Sequence, residues 1–292
     1  MRFGLVGTGH WAATAHAPAL RRTPGVTLVG VWGRNRDAAA ALAAQAQVVA
    51  FPDFDSLVAA CDAVAFAVPP DVQAPLAQRA ATAGRHLLLE KPVALSVAEA
   101  DALVDAVERA GVRSLVFFKS LFQPEPWRWL DTVRRTRWTA GSARWVTSAL
   151  SRPNSPYLGS LWRQRHGALW DVGPHALSLL LPALGPVTGV RALRGEGDLV
   201  HVLLAHETGA TSSATLTIQA PAGFDLVDLT LWGEAGATSM PISPVGSVAA
   251  LSTAIRRLVD EVEAGGPPHL GDVRFGARIT AVLSRVEAAL AA

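Results

Sequence analysis

Residues 2–12, Arg2-Phe3-Gly4-Leu5-Val6-Gly7-Thr8-Gly9-His10-Trp11-Ala12, decide the fold. A short apolar run reads as a buried strand, ends on G-x-G-x-x-A, and passes directly into a helix. Strand, glycine turn and helix N-terminus in this order are what a dinucleotide-binding βαβ unit requires. Gly7 permits the tight turn, Gly9 lets the backbone approach a pyrophosphate, and Ala12, like a third glycine, keeps the helix close to the sheet. The first amides of the helix and its dipole then hold the anion. Thr8, His10 and Trp11 lie in the loop and are candidate cofactor contacts.

Outward from this loop, apolar runs at Val26–Trp32, Ala63–Val68, His86–Leu89 and Ser114–Phe118 alternate with alanine-rich stretches at Asp37–Ala46, Asp71–Ala83 and Val97–Ala110. Such alternation predicts a doubly wound parallel sheet with helices on both faces. An acidic residue at the end of the second strand would bond the ribose 2′-hydroxyl of NAD. The chain instead reads Trp32-Gly33-Arg34-Asn35-Arg36, with no carboxylate before Asp37. Gly33 leaves room and Arg34 can pair with a 2′-phosphate, which favours NADP over NAD, with Asn35 beside them. The competing use of Arg34 is stacking on adenine or capping a surface turn.

After Pro124 the pattern changes. A helical piece at Trp127–Arg135 leads to strand-like runs at Ala143–Leu150, Val187–Leu193, Leu199–His206, Ala210–Gln219 and Asp225–Gly233, which predict a mostly antiparallel meander. One helix is expected at Asp171–Leu184, and two more close the chain at Ala249–Ala264 and Asp272–Leu290. The expected organisation is a nucleotide-binding domain over 1–120 and an α+β domain over 121–292 for substrate and oligomerisation.

The 292 residues are 50% hydrophobic and 17% charged, which excludes a disordered or low-complexity chain. A net charge of +2 gives no electrostatic ground for nucleic acid or an anionic membrane as partner. The lone Cys61 allows no internal disulfide, no signal-peptide layout opens the chain, and the uncharged run 235–255 is too broken by Pro241, Pro244 and glycines to span a bilayer. A cytoplasmic protein is expected. No histidine cluster suits a metal.

Of 26 basic residues only Lys91 and Lys119 are lysines. Lysine can lose its proton where arginine cannot, so both are candidates for proton chemistry or substrate contact, against chance survival on the surface. Lys91 lies in Glu90-Lys91-Pro92 at the end of a parallel strand, where open α/β sheets place ligands, and a cis Lys91–Pro92 bond would turn the lysine into the crevice. Further on stand Trp162-Arg163 and Gly167-Ala168-Leu169-Trp170-Asp171-Val172-Gly173-Pro174-His175. Asp171 and His175, four apart, share a helix face and with Lys91 could handle a proton; taken alone, the pair also fits a helix cap and a core histidine.

In these motifs, with Asp62–Pro70 and Phe118–Pro124, the chain resembles the Gfo/Idh/MocA oxidoreductases, the family of glucose-fructose oxidoreductase and inositol dehydrogenase. The resemblance implies a Rossmann domain, a C-terminal α+β domain whose open sheet often joins subunits into a homodimer or homotetramer, and hydride transfer between NAD(P) and a hydroxyl or carbonyl carbon of a small, usually sugar-derived, molecule. It implies that Val68, Pro69, Pro70, Glu90, Lys91, Trp162 and Arg163 contact cofactor, and that Lys91, Lys119, Trp170, Asp171 and His175 meet substrate. Lys91 would bond the reacting oxygen, His175 would act as base or acid, and Asp171 would orient or share that proton. The departures are His166-Gly167 in place of a double glycine, Pro174 before the histidine, bulky Trp170, and Ser178 where the family often has a substrate-touching aspartate. They weaken any transfer of substrate more than of chemistry. Alternatives are a glycosidase using transient oxidation by bound NAD, and a non-catalytic dinucleotide sensor.

Overall fold

The computed structural model describes residues 1–291. Two compact units are present, one of Met1–Phe122 with Val245–Arg278, the other of Gln123–Pro244 with the residues from Ile279 on.

In the first unit β1 (Arg2–Val6), β2 (Thr27–Trp32), β3 (Val49–Ala50), β4 (Ala63–Phe66), β5 (His86–Leu89) and β6 (Ser114–Val116) form one parallel sheet in the order β3-β2-β1-β4-β5-β6. The reversal of strand order at β1/β4 is the switch point where a doubly wound sheet opens its crevice. All four residues of β4, and β1 from Phe3 on, are buried, as strands covered on both faces must be. Helices α1 (Ala17–Arg22), α2 (Arg36–Ala46), α3 (Phe54–Ala60), α4 (Pro70–Thr82) and α5 (Val97–Ala110) connect the strands. Their starts are written in the sequence. The side chains of Asn35, Asp53 and Ser96 accept the backbone N–H groups of Ala38, Ser56 and Glu99, and Gly111 ends α5 at φ 63°. A π-helical turn, Ala12–His16, precedes α1, closed by the Ala17 N–H on the Ala12 carbonyl. Sequence patterning missed β3, only two exposed residues long, and α3, only seven.

The second unit holds β7 (Ala140–Val146), β8 (Val187–Arg194), β9 (Val200–His206), β10 (Thr211–Thr217), β11 (Leu226–Gly233) and β12 (Gly236–Ser239), in the order β12-β11-β7-β10-β9-β8. The expected meander holds for β8-β9-β10, while β12, a four-residue strand paired with β11, is not among the expected strands. Between these, β7 inserts parallel to β10 and antiparallel to β11. The reason is connectivity: α7 (Leu161–Asp171) and α8 (Gly173–Leu184) follow β7, and this helical crossover frees it from a hairpin partner. Both helices pack on the sheet, over the face carrying Trp145, Val202, Leu204, Leu216 and Leu231. α6 (Pro124–Val133) opens the unit. The single helix expected over Asp171–Leu184 is therefore two, separated at Val172.

α9 (Ser247–Ala264) and the start of α10 (Val273–Ala291) belong to the first unit, which corrects a division at residue 120. The physical cause is an apolar stripe, Ala250, Leu251, Ala254, Ile255 and Leu258, buried in part against α1 and the π-helical turn. Each fully buried Leu or Ile there contributes about 1.5–3 kcal/mol. Phe275 of α10 adds an edge-on contact with Phe118, ring centroids 5.6 Å apart.

Candidate active site

The glycine loop leaves β1 with Gly7 at φ 120°, where a Cβ would stand 2.4 Å from the Ala67 carbonyl oxygen. Only glycine fits so close to the chain leaving β4. Gly9 is the opposite case: its φ is ordinary and a Cβ there would meet nothing within 4 Å. The protein itself gives no reason for glycine at 9, whereas a phosphate seated on the first amides of the helix does. The residues present thus fit a dinucleotide pyrophosphate. Thr8 packs on Gly33, whose Cβ would lie 2.6 Å from the Thr8 methyl, and Val68 lies beside Gly7. Pro69 and Pro70 start α4. His10 lends its carbonyl to the Thr14 hydroxyl at 2.8 Å. Arg34 is exposed at the end of β2. The Asn35 side-chain oxygen accepts the Ala38 N–H at 3.0 Å and caps α2, which occupies that atom and leaves the side-chain NH2 outside the cap.

At the end of β5 the Lys91–Pro92 bond is cis. Gln73, wholly buried on α4, holds this turn by its backbone: its amide nitrogen donates to the Glu90 carbonyl at 2.8 Å, and its oxygen accepts the Glu90 N–H at 2.8 Å. The Glu90 carboxylate accepts from Trp11 Nε1 at 2.6 Å and lies 2.9 Å from His16 Nε2, both on Oε1. Trp11 therefore reaches Glu90 from the phosphate loop. Lys119 follows β6 on a 3₁₀ turn, and burial pushes its ammonium below the ordinary lysine range.

In the second unit α7 kinks at Gly167, φ 61°, and delivers Asp171 at its end. Arg163 Nε lies 3.1 Å from Asp171 Oδ2, with the guanidinium 4.5 Å from the Tyr157 ring centroid and 4.7 Å from that of Trp162. A further bond joins Arg163 to the Ser160 hydroxyl. Arg163 and Trp162, expected on the cofactor, are thus engaged within this unit around Asp171. His175, half-buried on the first turn of α8, stacks at 12° on Trp145, centroids 6.5 Å apart. Trp170, expected against substrate, is 1% exposed, and its indole donates to Glu287 Oε1 at 2.9 Å. A large apolar ring with one polar atom is buried where that atom finds a partner, so Trp170 is a core residue. Ser178 is buried and bonds the His175 carbonyl, which accounts for a small hydroxyl there.

Residues 1–118 match the model of the family described as oxidoreductases with an NAD-binding Rossmann fold. This stretch, about two fifths of the chain, is similar to the Gfo/Idh/MocA oxidoreductases. The chain is 31% identical over 191 residues to dTDP-3,4-didehydro-2,6-dideoxy-alpha-D-glucose 3-reductase of Streptomyces antibioticus, covering 64% of this chain and 57% of that one. It is 29% identical over 231 residues to UDP-N-acetylglucosamine 3-dehydrogenase of Acidithiobacillus ferrooxidans, covering 76% and 69%. Among solved structures, the WlbA dehydrogenase of Bordetella pertussis, in complex with NADH and UDP-GlcNAcA, shares the fold at TM-score 0.83 and 24% identity, covering 99% of this chain and 96% of that one.

The motifs read from the sequence did not single out His16, Gln73, Tyr157 or Ser160. Gln73 carried no motif, and the one signal for it is a buried amide on an alanine-rich helix. His16 stands five residues after Trp11, a spacing that α-helical periodicity separates and a π-helical turn unites.

Proposed function

We propose that the protein is an oxidoreductase, preferring NADP(H), that moves hydride to or from a hydroxyl or carbonyl carbon of a sugar-derived substrate. The glycine loop carries this proposal: Gly9 stands over open space where only a ligand would use its missing side chain. Thr8, Gly9, His10 and the first turn of the helix would hold the pyrophosphate, and exposed Arg34 a 2′-phosphate. When bound, NAD(P) supplies or accepts the hydride.

Lys91 would hydrogen-bond the reacting oxygen and stabilise negative charge on it. His175 would take the hydroxyl proton in oxidation or return it in reduction, imidazole being the side chain that exchanges protons most readily near neutral pH. Asp171, with Arg163 3.1 Å away, serves as a fixed carboxylate that orients its surroundings. Lys119 is a substrate contact in this scheme. The names of the two curated relatives favour nucleotide-activated hexoses, oxidised or reduced at C3, as the first substrates to try. A homo-oligomer through the outer face of the β7–β12 sheet, where Leu193, Leu203 and Trp232 are exposed, accompanies this proposal, as does a cytoplasmic setting.

Titration of the purified protein with NADPH and with NADH, followed by tryptophan-to-nicotinamide energy transfer, tests it. Micromolar binding of NADPH, weaker binding of NADH and reduction of NADP⁺ in the presence of UDP-N-acetylglucosamine or a dTDP-hexose are expected. Absence of binding by either nucleotide overturns it.

A further inference from the structure

Beneath the phosphate loop lies an assembly that the reaction scheme leaves unused. His16 is wholly buried, and its one polar tie is Nε2 on Glu90 Oε1 at 2.9 Å; its other nitrogen, Nδ1, is buried with no hydrogen-bond partner. A leucine would fill this position without stranding a polar atom, and a stranded buried nitrogen costs about 1–3 kcal/mol. Packing does not account for histidine here; its bond to Glu90 does.

The π-helical turn makes that bond possible. Its closing bond, from Ala17 N–H to the Ala12 carbonyl, widens the helix by one residue, so Trp11 and His16 come to one side and converge on the same carboxylate oxygen. π turns of this kind recur at functional sites. Glu90 is 13% exposed and ends β5, in the half of the sheet across the switch point from β2 and Arg34. In a doubly wound sheet the dinucleotide straddles this point, with the pyrophosphate on the β1 loop between its two halves. With the adenosine end on the β2 side, Glu90-Lys91-Pro92 stands at the nicotinamide end.

We infer that His16 is a positioning residue for the nicotinamide end of the cofactor site: acting through Glu90, it ties the helix that binds pyrophosphate to the Glu90–Pro92 turn. Gln73 holds the backbone of this turn, while His16 and Trp11 hold its carboxylate. The inference rests on the dinucleotide reading of the glycine loop.

Calorimetric titration with NADPH and with 2′-phospho-ADP-ribose, which lacks only the nicotinamide ring, separates positioning from mere support of the helix. His16→Leu is expected to weaken NADPH about 10-fold, the loss of one charge-assisted hydrogen bond, and to leave 2′-phospho-ADP-ribose within about 2-fold. His16→Gln, whose amide nitrogen reaches the place of Nε2, restores NADPH affinity. His16→Asn, whose amide falls short at the place of Nδ1, does not, and this pair decides the matter if the leucine variant fails to fold. In a Glu90→Gln background His16→Leu has little further effect, because the two act as one unit. Equal weakening of both ligands overturns the inference, as does unchanged NADPH affinity in folded His16→Leu. Failure of the parent protein to bind either ligand instead overturns the dinucleotide reading itself.

Discussion

Alanine at Gly9 and alanine at Gly7 are the same chemical change three residues from β1 and one residue from it, yet their expected effects differ in kind. At Gly9 the backbone is in an ordinary region and an added Cβ meets nothing within 4 Å. Gly9→Ala should therefore leave the ligand-free protein as stable as the parent, or raise stability by about 0.4–1 kcal/mol through the unfolded chain. The methyl would stand where a pyrophosphate approaches the helix amides. Losing one charge-assisted bond of about 1.5–3 kcal/mol weakens NADPH and NADH roughly 10- to 150-fold. At Gly7 the φ of 120° strains any side chain, and Cβ would lie 2.4 Å from the Ala67 carbonyl oxygen. Strain of about 1–3 kcal/mol, with displacement of the chain leaving β4, brings the cost of Gly7→Ala to roughly 3–5 kcal/mol. That corresponds to a fall in Tm on the order of 10 °C. The assay is thermal melting of the ligand-free variants beside calorimetric titration with NADPH. A Gly9→Ala protein that melts like the parent and binds NADPH like the parent would refute the phosphate-loop reasoning. A Gly9→Ala protein with a Tm as depressed as that of Gly7→Ala would show that the open space at 9 is misjudged.

Arg34→Glu replaces the proposed partner of the 2′-phosphate by a like charge; NADPH affinity should fall about 100-fold with NADH within about 3-fold, and parallel changes in both would remove Arg34 from cofactor choice. Burial raises the Glu261 carboxyl above the ordinary range, and its Oε2 is buried without a partner. The folded protein then holds this proton more tightly than the unfolded chain, so its contribution to stability is greatest at low pH and is lost as pH rises through the raised pKa. Glu261→Gln should melt higher than the parent at pH 7, by about 1 kcal/mol, with the gap closing near pH 4; a gap that grows on acidification would contradict the sign. Trp170→Phe removes the indole bond to Glu287, whose carboxylate can return to water, and should cost about 1–3 kcal/mol of stability with no change in NADPH affinity. A tenfold change in substrate KM at unchanged Tm would instead return Trp170 to the pocket.

The parts of the molecule legible in the sequence are those governed by local rules. β1, the glycine loop, β5 and α5 were readable because strand burial, φ demands and caps act within a few residues: Gly7, Ser96 with Glu99, and Gly111 each announce a geometry. What escaped depends on distant neighbours. The place of β7 between β10 and β11 follows from where its crossover helices pack, and the membership of α9 in the first unit follows from its partners, α1 and the turn at 12–16. At the site the same division holds. Glu90 and Lys91 form a contiguous tripeptide with Pro92, while Gln73 and His16 come from elements whose approach to Glu90 no local pattern records. Trp170 was misassigned because adjacency to Asp171 says nothing about direction. On a helix neighbouring side chains diverge by about 100°, and this one turns to α10.

The engagement of Arg163 changes what can be asked of Asp171. A carboxylate 8% exposed, with a guanidinium 3.1 Å away and that guanidinium held against two aromatic rings, has its charge balanced and its position fixed. Protonating it would leave a half-buried arginine charge unpaired, and removing the arginine would strand a buried carboxylate, so either change carries a cost. Such a group is suited to orienting others and poorly suited to shuttling a proton in each turnover. Arginine is required for this in a chemical sense, since only a planar guanidinium stacks on rings and bonds in-plane donors to acceptors at once, which a lysine ammonium does not. In the proposed scheme this assigns the proton transfer to His175. Its ring is half-buried and nearly parallel to that of Trp145, on the first turn of α8. In the proposed scheme the second unit would supply two things, a carboxylate paired with Arg163 and a proton-exchanging imidazole stacked on Trp145.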